Sequence, residues 1–248
     1  MKKSKRNLLF GAILLLMLFA LLFGALFFRE KYVAWIILSF TVFSILPMFF
    51  MFERREKNAG EISILAVLIA LSVAGRMLFA WLPGFKPVTA MTVIAALYLG
   101  KEAGFLVGSL SAVLSNFYFG QGPWTPFQMF SWGMIGLAAG LLARPLKKNK
   151  LFLGGFAIMA GIFYSLSMDI WTVIWAEGGF SLSRYLAVAV SSLPVMVEYV
   201  LSNLVFLLLL AKPIGEKLER VRTKYGLFLK KEDLSEKESK EKREVDVK

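Results

Sequence analysis

The chain has 248 residues, 58% of them hydrophobic, with 23 Phe and a mean hydropathy of +0.66. So much apolar surface stays out of water only by dissolving in lipid, which excludes an ordinary soluble domain. There is no Cys and no His, which removes disulfides, thiolate metal sites, Ser-His and Cys-His nucleophile pairs and the usual zinc and haem ligands.

Apolar runs long enough to cross about 30 Å of hydrocarbon span Leu8 to Phe28, Tyr32 to Phe52, Ile62 to Leu82, Leu151 to Trp175 and Tyr185 to Ala211. The first follows the basic Met1-Lys-Lys-Ser-Lys-Arg6. As a signal peptide it is too long, and it ends in Leu26-Phe27-Phe28 instead of a small-residue cleavage site. Between Pro87 and Ala143 the apolar sequence is cut at Lys101-Glu102 and at Gly120-Gln121-Gly122-Pro123, leaving helices near 87–100, 103–119 and 124–143. The first of these is only about 21 Å long at 1.5 Å per residue, and is expected to cross incompletely or to end at a re-entrant boundary. The reading is all-α, a polytopic membrane bundle of eight helices: an N-terminal pair within residues 1–57, a six-helix unit over 58–212 and a charged cytoplasmic tail over 213–248.

The formal charge of +12 takes its meaning from its distribution. With the N-terminus inside, most of the 29 Lys and Arg fall on the cytoplasmic side: Lys2, Lys3, Lys5 and Arg6; Arg54, Arg55 and Lys57; Lys101; Arg144, Lys147, Lys148 and Lys150; and the tail from Lys212. Arg29, Lys31, Lys86 and Arg184 fall outside. This is the positive-inside asymmetry of a multi-pass cell-membrane protein with both termini cytoplasmic, not a nucleic-acid footprint. The tail mixes basic with acidic residues and reads as an amphipathic interfacial stretch followed by a disordered end. No Gly-x-x-x-x-Gly-Lys-Ser/Thr pattern occurs, so any ATP-driven work needs a partner chain.

Arg76, Asp169 and Glu198 lie well inside predicted helices, where each costs a few kcal/mol in lipid unless it faces the bundle or a wet cavity. Arg76 and Asp169 fall at one depth, about 9 Å below the outer surface. Asn116 shortly precedes the outer turn, and Gln128 shortly follows it. Four helices thus direct polar side chains at the outer half, as a cavity open to the outside would require. Two readings stand: a structural Arg76 and Asp169 ion pair with Asn116 and Gln128 as interhelical glue, or a set of ligand contacts. Glu198 and Asn203 fall nearer the middle of the last predicted helix.

Trp81, Trp124, Trp132, Trp171, Trp175, Phe117, Tyr118, Phe119 and Tyr185 gather at the same outer level. An interfacial belt explains most of them. Trp124, Trp132 and Trp171 are candidate pocket walls, because each stands near Gln128 or Asp169. Small residues recur at four-residue spacing as Ala66, Ala70 and Ala74, as Gly104, Gly108 and Ala112, and as Gly136 and Gly140. The Gly pairs predict close internal packing, and the alanine stripe serves either packing or a membrane partner.

The stretch Ile62 to Leu142 resembles the substrate-binding S components of energy-coupling factor (ECF) vitamin transporters. The cues are the alanine stripe in ILAVLIALSVAG, then KEAGFLVG followed by SNFYFGQGPWTPFQM. The resemblance implies a six-helix unit binding one vitamin near the extracellular face, with loops closing over it at roughly Leu82 to Pro87, Gly120 to Thr125 and Glu177 to Arg184. It also implies docking through Ala66, Ala70 and Ala74 onto a transmembrane coupling subunit served by two ATPases. The two helices before residue 57 depart from the family's usual six. The GQGPWTPFQ segment looks most like members proposed to import cobalamin-like compounds.

The sequence therefore points to a non-catalytic membrane binding subunit for a vitamin, a corrinoid first, with a flavin, pterin or queuine-like base as the alternative. The expected ligand contacts are Arg76, Lys86, Asn116, Gln121, Trp124, Thr125, Gln128, Trp132, Asp169 and Trp171, with no metal and no cofactor. An intramembrane enzyme would need Asp169 and Glu198 to share one cavity, and their expected axial offset argues against a dyad. A structural membrane scaffold is the third reading.

Overall fold

The computed structural model describes residues 59–228 and part of a helix between Trp35 and Ile45. The first predicted span, the rest of the second and the tail beyond 228 lie outside the described residues. From residue 59 onward the chain forms α1 (Ala59–Leu78), α2 (Val88–Leu99), α3 (Lys101–Phe119), α4 (Thr125–Leu141), α5 (Ala143–Lys148), α6 (Lys150–Glu177), α7 (Leu182–Ser191) and α8 (Leu193–Tyr225). There is no strand among the described residues. The protein is a helical membrane bundle in which α1, α6 and α8 are long and apolar enough to cross a membrane.

The centre of the bundle is α2. It carries no charge, every residue except Tyr98 is buried, and it packs against α1, α3, α4 and α8. Its 12 residues rise only about 18 Å, so it falls short of a full crossing, as its sequence length predicts. Pro87 precedes its first turn, and Gly100 breaks the chain between α2 and α3 at φ 105°, a conformation that suits only a residue without a side chain.

The Gly stripes do what close packing requires. A Cβ added at Gly108 would stand 2.6 Å from the Trp132 carbonyl oxygen, and one at Gly136 would meet the backbone of Gly104. The backbones of α3 and α4 therefore touch, which small residues permit in lipid where no hydrophobic force drives helices together. On the far side of this pair, Ile37 clusters with Phe127 and Ile45 with Phe105. The described part of the preceding helix thus packs onto α3 and α4.

The last predicted span, Tyr185 to Ala211, is not one helix. The amphipathic α7 ends at Ser191, and α8 starts at Leu193 with Pro194 in its first turn, where a missing N–H costs nothing. The helix then runs past the predicted boundary at 212 to Tyr225, with Pro213 inside it. Its continuation holds because Gly215 lets the Tyr98 ring sit directly on the backbone, Leu218 is buried, and Lys147 bridges to Glu219 at 3.0 Å. At the same end, Phe228 N–H donates to Glu61 Oε1 at 2.5 Å, tying the chain after α8 to the first turn of α1. The opposite end holds the 79–87 loop, the 120–124 turn and α7.

Candidate functional site

A small cavity opens toward the end bearing the 79–87 loop, lined by Arg76, Lys86, Val88, Thr89, Gln128, Trp132, Tyr164 and Tyr199. Its volume is about 50 Å3. Five helices and one loop supply these residues, with Arg76 in the last turn of α1 and Gln128 in the first turn of α4. The 79–87 loop is pinned above it. Gly84 N–H donates to Glu198 Oε2 at 2.7 Å, and Ser202 Oγ accepts from Lys86 N–H and donates to Lys86 C=O, both at 2.8 Å. Phe79, Phe85 and Phe206 close the same corner with ring centroids 5.1 to 5.9 Å apart.

A polar chain runs behind the cavity. Arg76 Nη1 donates to Ser115 Oγ and to Asn116 Oδ1, the latter at 2.9 Å. Asn116 Nδ2 donates to Thr125 Oγ1 at 2.9 Å and to Gln128 Oε1 at 2.8 Å. Gln128 Nε2 in turn reaches the Tyr164 hydroxyl at 3.4 Å. Asn116, Gln128 and Arg76 are all buried, so each of these bonds is made where water offers no substitute and its loss is expensive.

Aromatic surface forms the walls. Trp132 and Tyr164 stack with centroids 4.7 Å apart and planes 17° from parallel, and Tyr199 meets Tyr164 edge-on at 4.8 Å. The Arg76 guanidinium lies 4.5 Å from the Phe119 centroid and 5.2 Å from that of Trp132. Lys86 Nζ donates to Pro83 C=O at 2.8 Å and lies 5.4 Å from the same Phe119 ring. Burial, and then the neighbouring Arg76, hold the Lys86 ammonium below its usual range, while Glu198 pulls the other way.

Of the residues expected from sequence, the fold brings together Arg76, Lys86, Asn116, Thr125, Gln128 and Trp132. Gln121 and Trp124 stand at the rim. Gln121 is exposed, donates to Val113 C=O at 2.8 Å and accepts from Thr125 Oγ1 at 3.1 Å, while Trp124 is half-buried over its own turn at Gly122. Asp169 and Trp171 are not at the cavity. Asp169 lies five residues beyond Tyr164, roughly 140° around α6, and accepts from Ser192 Oγ at 2.7 Å at the junction of α7 and α8. No ion pair joins it to Arg76 among the described residues. Trp171 shares the face of Tyr164 but stands two turns higher, about 10 Å, against Phe127 and Trp175.

Glu198 also differs from its expected depth. Because α8 begins at Leu193, it occupies the second turn of that helix beside the loop, and its carboxylate is engaged by Gly84. Sequence reasoning missed Val88, Thr89, Tyr164 and Tyr199. The two tyrosines carried a usable signal, since a phenol deep in an apolar helix needs a hydrogen-bond partner. Trp81, Phe117, Tyr118 and Trp175 are exposed and fit the interfacial belt. The alanine stripe is on an open face: Ala66, Ala70 and Ala74 are exposed beside Ile62, Val67 and Leu71.

A family model described as ECF-type riboflavin transporter, S component, matches residues 57–220. No curated protein and no solved structure matches the chain. The matched segment runs from just before α1 far into α8 and contains every residue of the cavity, about two thirds of the chain in all. An apolar helical bundle with a walled cavity at one end, and this match across it, make the chain a member of the ECF-type riboflavin transporter S component family.

Proposed function

We propose that the chain is the flavin-binding subunit of its transporter, holding the ligand between α1, α2, α4, α6 and α8 at the extracellular side. The observation that carries this reading is the stacked Trp132 and Tyr164 pair set beside the Gln128 amide that lines the cavity. Flat aromatic walls suit a tricyclic ring system, and a side-chain amide offers the donor and acceptor that the dione edge of a flavin demands. The match to a riboflavin-type family favours this vitamin over the corrinoid suggested by the GQGPWTPFQ segment. A corrinoid is also far larger and not planar at its substituents.

A cavity of about 50 Å3 is well under the roughly 300 Å3 at which ligand pockets begin. Loading therefore needs the 79–87 loop, held by Glu198 and Ser202, and the 120–124 turn to move outward and close again over the ligand. The subunit performs no chemistry on the vitamin in this reading. With both termini cytoplasmic, the exposed Ala66, Ala70 and Ala74 face of α1 docks on the coupling subunit, and two ATPases supply the energy.

The test is the spectrum of the protein purified rapidly from cells grown on mixed vitamins. Flavin absorbance with quenched flavin fluorescence supports the proposal. Corrin absorbance would overturn it in favour of a cobalamin-type ligand.

A further inference from the structure

The cavity holds two cations with a single acid acting on one of them. Its lining includes two cations, Arg76 and Lys86, and no carboxylate. Both lie against one ring, at 4.5 and 5.4 Å from the Phe119 centroid, so they stand within about 10 Å of each other. No salt bridge among the described residues reaches either one. Glu198, outside the lining, offsets Lys86 in part while accepting from Gly84 N–H; Asp169 turns instead to Ser192, and no carboxylate acts on Arg76. Arg76 is 7% exposed, and its buried Nε has no partner.

Placing two like charges together at low dielectric is unfavourable, and ring faces with neutral dipoles compensate only part of it. A bound anion would remove the repulsion and engage the orphaned donor in a charge-assisted hydrogen bond. We infer that the site is built for a planar heterocycle carrying an anionic group, the anion lying between Arg76 and Lys86 and the rings against Trp132 and Tyr164. Among flavins this selects a phosphate ester over neutral riboflavin. The inference rests on the proposed flavin site for the identity of the ring, and on the excess of cations and the unpartnered Arg76 Nε for the charge.

The full chain in lipid nanodiscs is titrated with riboflavin, flavin mononucleotide, pterin and pterin-6-carboxylate at low and high salt, following quenching of ligand fluorescence. Flavin mononucleotide is expected to bind about tenfold tighter than riboflavin at low salt, as one charge-assisted hydrogen bond would give. The preference shrinks at high salt and in Lys86→Gln, a loop variant whose folding is checked by its thermal melt. Riboflavin binding equally or more tightly overturns the inference and leaves the flavin reading standing, as does a phosphate preference that survives both salt and Lys86→Gln. If neither flavin binds but pterin-6-carboxylate outcompetes pterin, the flavin reading falls and the anion site stands. Binding of none of the four overturns both.

Discussion

The N–H of Gly84 and the carboxylate of Glu198 are 2.7 Å apart, donor to acceptor, across 114 residues of chain. One turn further along α8, Ser202 grips Lys86 by both its N–H and its C=O. A loop fixed at two backbone positions to one helix can open only as a unit, so Glu198 sets how long the cavity stays shut. Glu198→Ala is expected to speed ligand release by about 5- to 20-fold, the cost of one part-buried hydrogen bond to a charged acceptor, with a smaller change in the rate of entry. Glu198→Gln, which keeps an acceptor oxygen, should restore most of the slow release. Stopped-flow recovery of ligand fluorescence measures both, and an unchanged release rate in Glu198→Ala would reject the latch.

Asn116 makes three side-chain bonds, to Arg76, Thr125 and Gln128. Asn116→Ala leaves buried donors and acceptors on α1 and α4 without partners, at about 2 to 3 kcal/mol of stability, and, by releasing the Gln128 amide that lines the cavity, should weaken ligand binding by about tenfold. Asp169→Ala, which strips Ser192 of its acceptor away from the cavity, should leave affinity within a few fold while lowering the melting temperature. Isothermal titration of the two variants decides whether the Asn116 network shapes the ligand site or only holds the bundle.

At Gly136 the α3 backbone leaves no room for any side chain. Gly136→Val should separate α3 from α4 and cost upwards of about 3 kcal/mol, more than most single changes. The expected readout is loss of the monodisperse peak in size-exclusion chromatography. A well-behaved, ligand-binding Gly136→Val protein would contradict the packing described.

Ala70 is exposed near the middle of α1, remote from the cavity. Ala70→Trp should block co-purification with the coupling subunit and leave ligand affinity untouched. Complex formation at the normal level would show that the stripe faces only lipid.

Lys86 gives the site a pH dependence with a definite sign. Its ammonium loses its proton below the ordinary 10.5, chiefly through burial and then through Arg76. Affinity for an anionic ligand should therefore fall as pH rises through that lowered value, earlier than a free lysine would titrate. Stability of the empty protein moves the other way: the unfolded chain holds this proton more tightly, so the fold gains stability as pH climbs toward 10.5. Titrations between about pH 7 and about pH 10 should show both trends, and neither in Lys86→Gln.

The membrane class, the short α2 and the Gly contacts of α3 and α4 are legible in the sequence because length and residue size set them directly. Arg76, Asn116 and Gln128 are legible because a polar side chain at depth has few places to go. Asp169 shows where that logic stops, since depth along a helix says nothing of the direction around it, and five residues past Tyr164 turn it away. The break before α8 is written in Ser192-Leu193-Pro194, yet it sits inside an unbroken apolar run, and hydropathy alone reads through it. Tyr164 and Tyr199 stand inside the apolar runs 151–175 and 185–211, where hydropathy does not single out hydroxyls that need partners.

The burial of α2 makes its side chains answer to volume, whereas α1, α6 and α8 present large apolar residues outward. A lipid-facing Leu can be exchanged for Phe or Met at little cost, while Ala95 or Ala96, flush against neighbouring helices, cannot grow by a methyl group without displacing one. Saturation mutagenesis should thus sort these helices by tolerance of bulk and not of polarity, and the least forgiving stretch of the chain should be the segment too short to register as a membrane crossing.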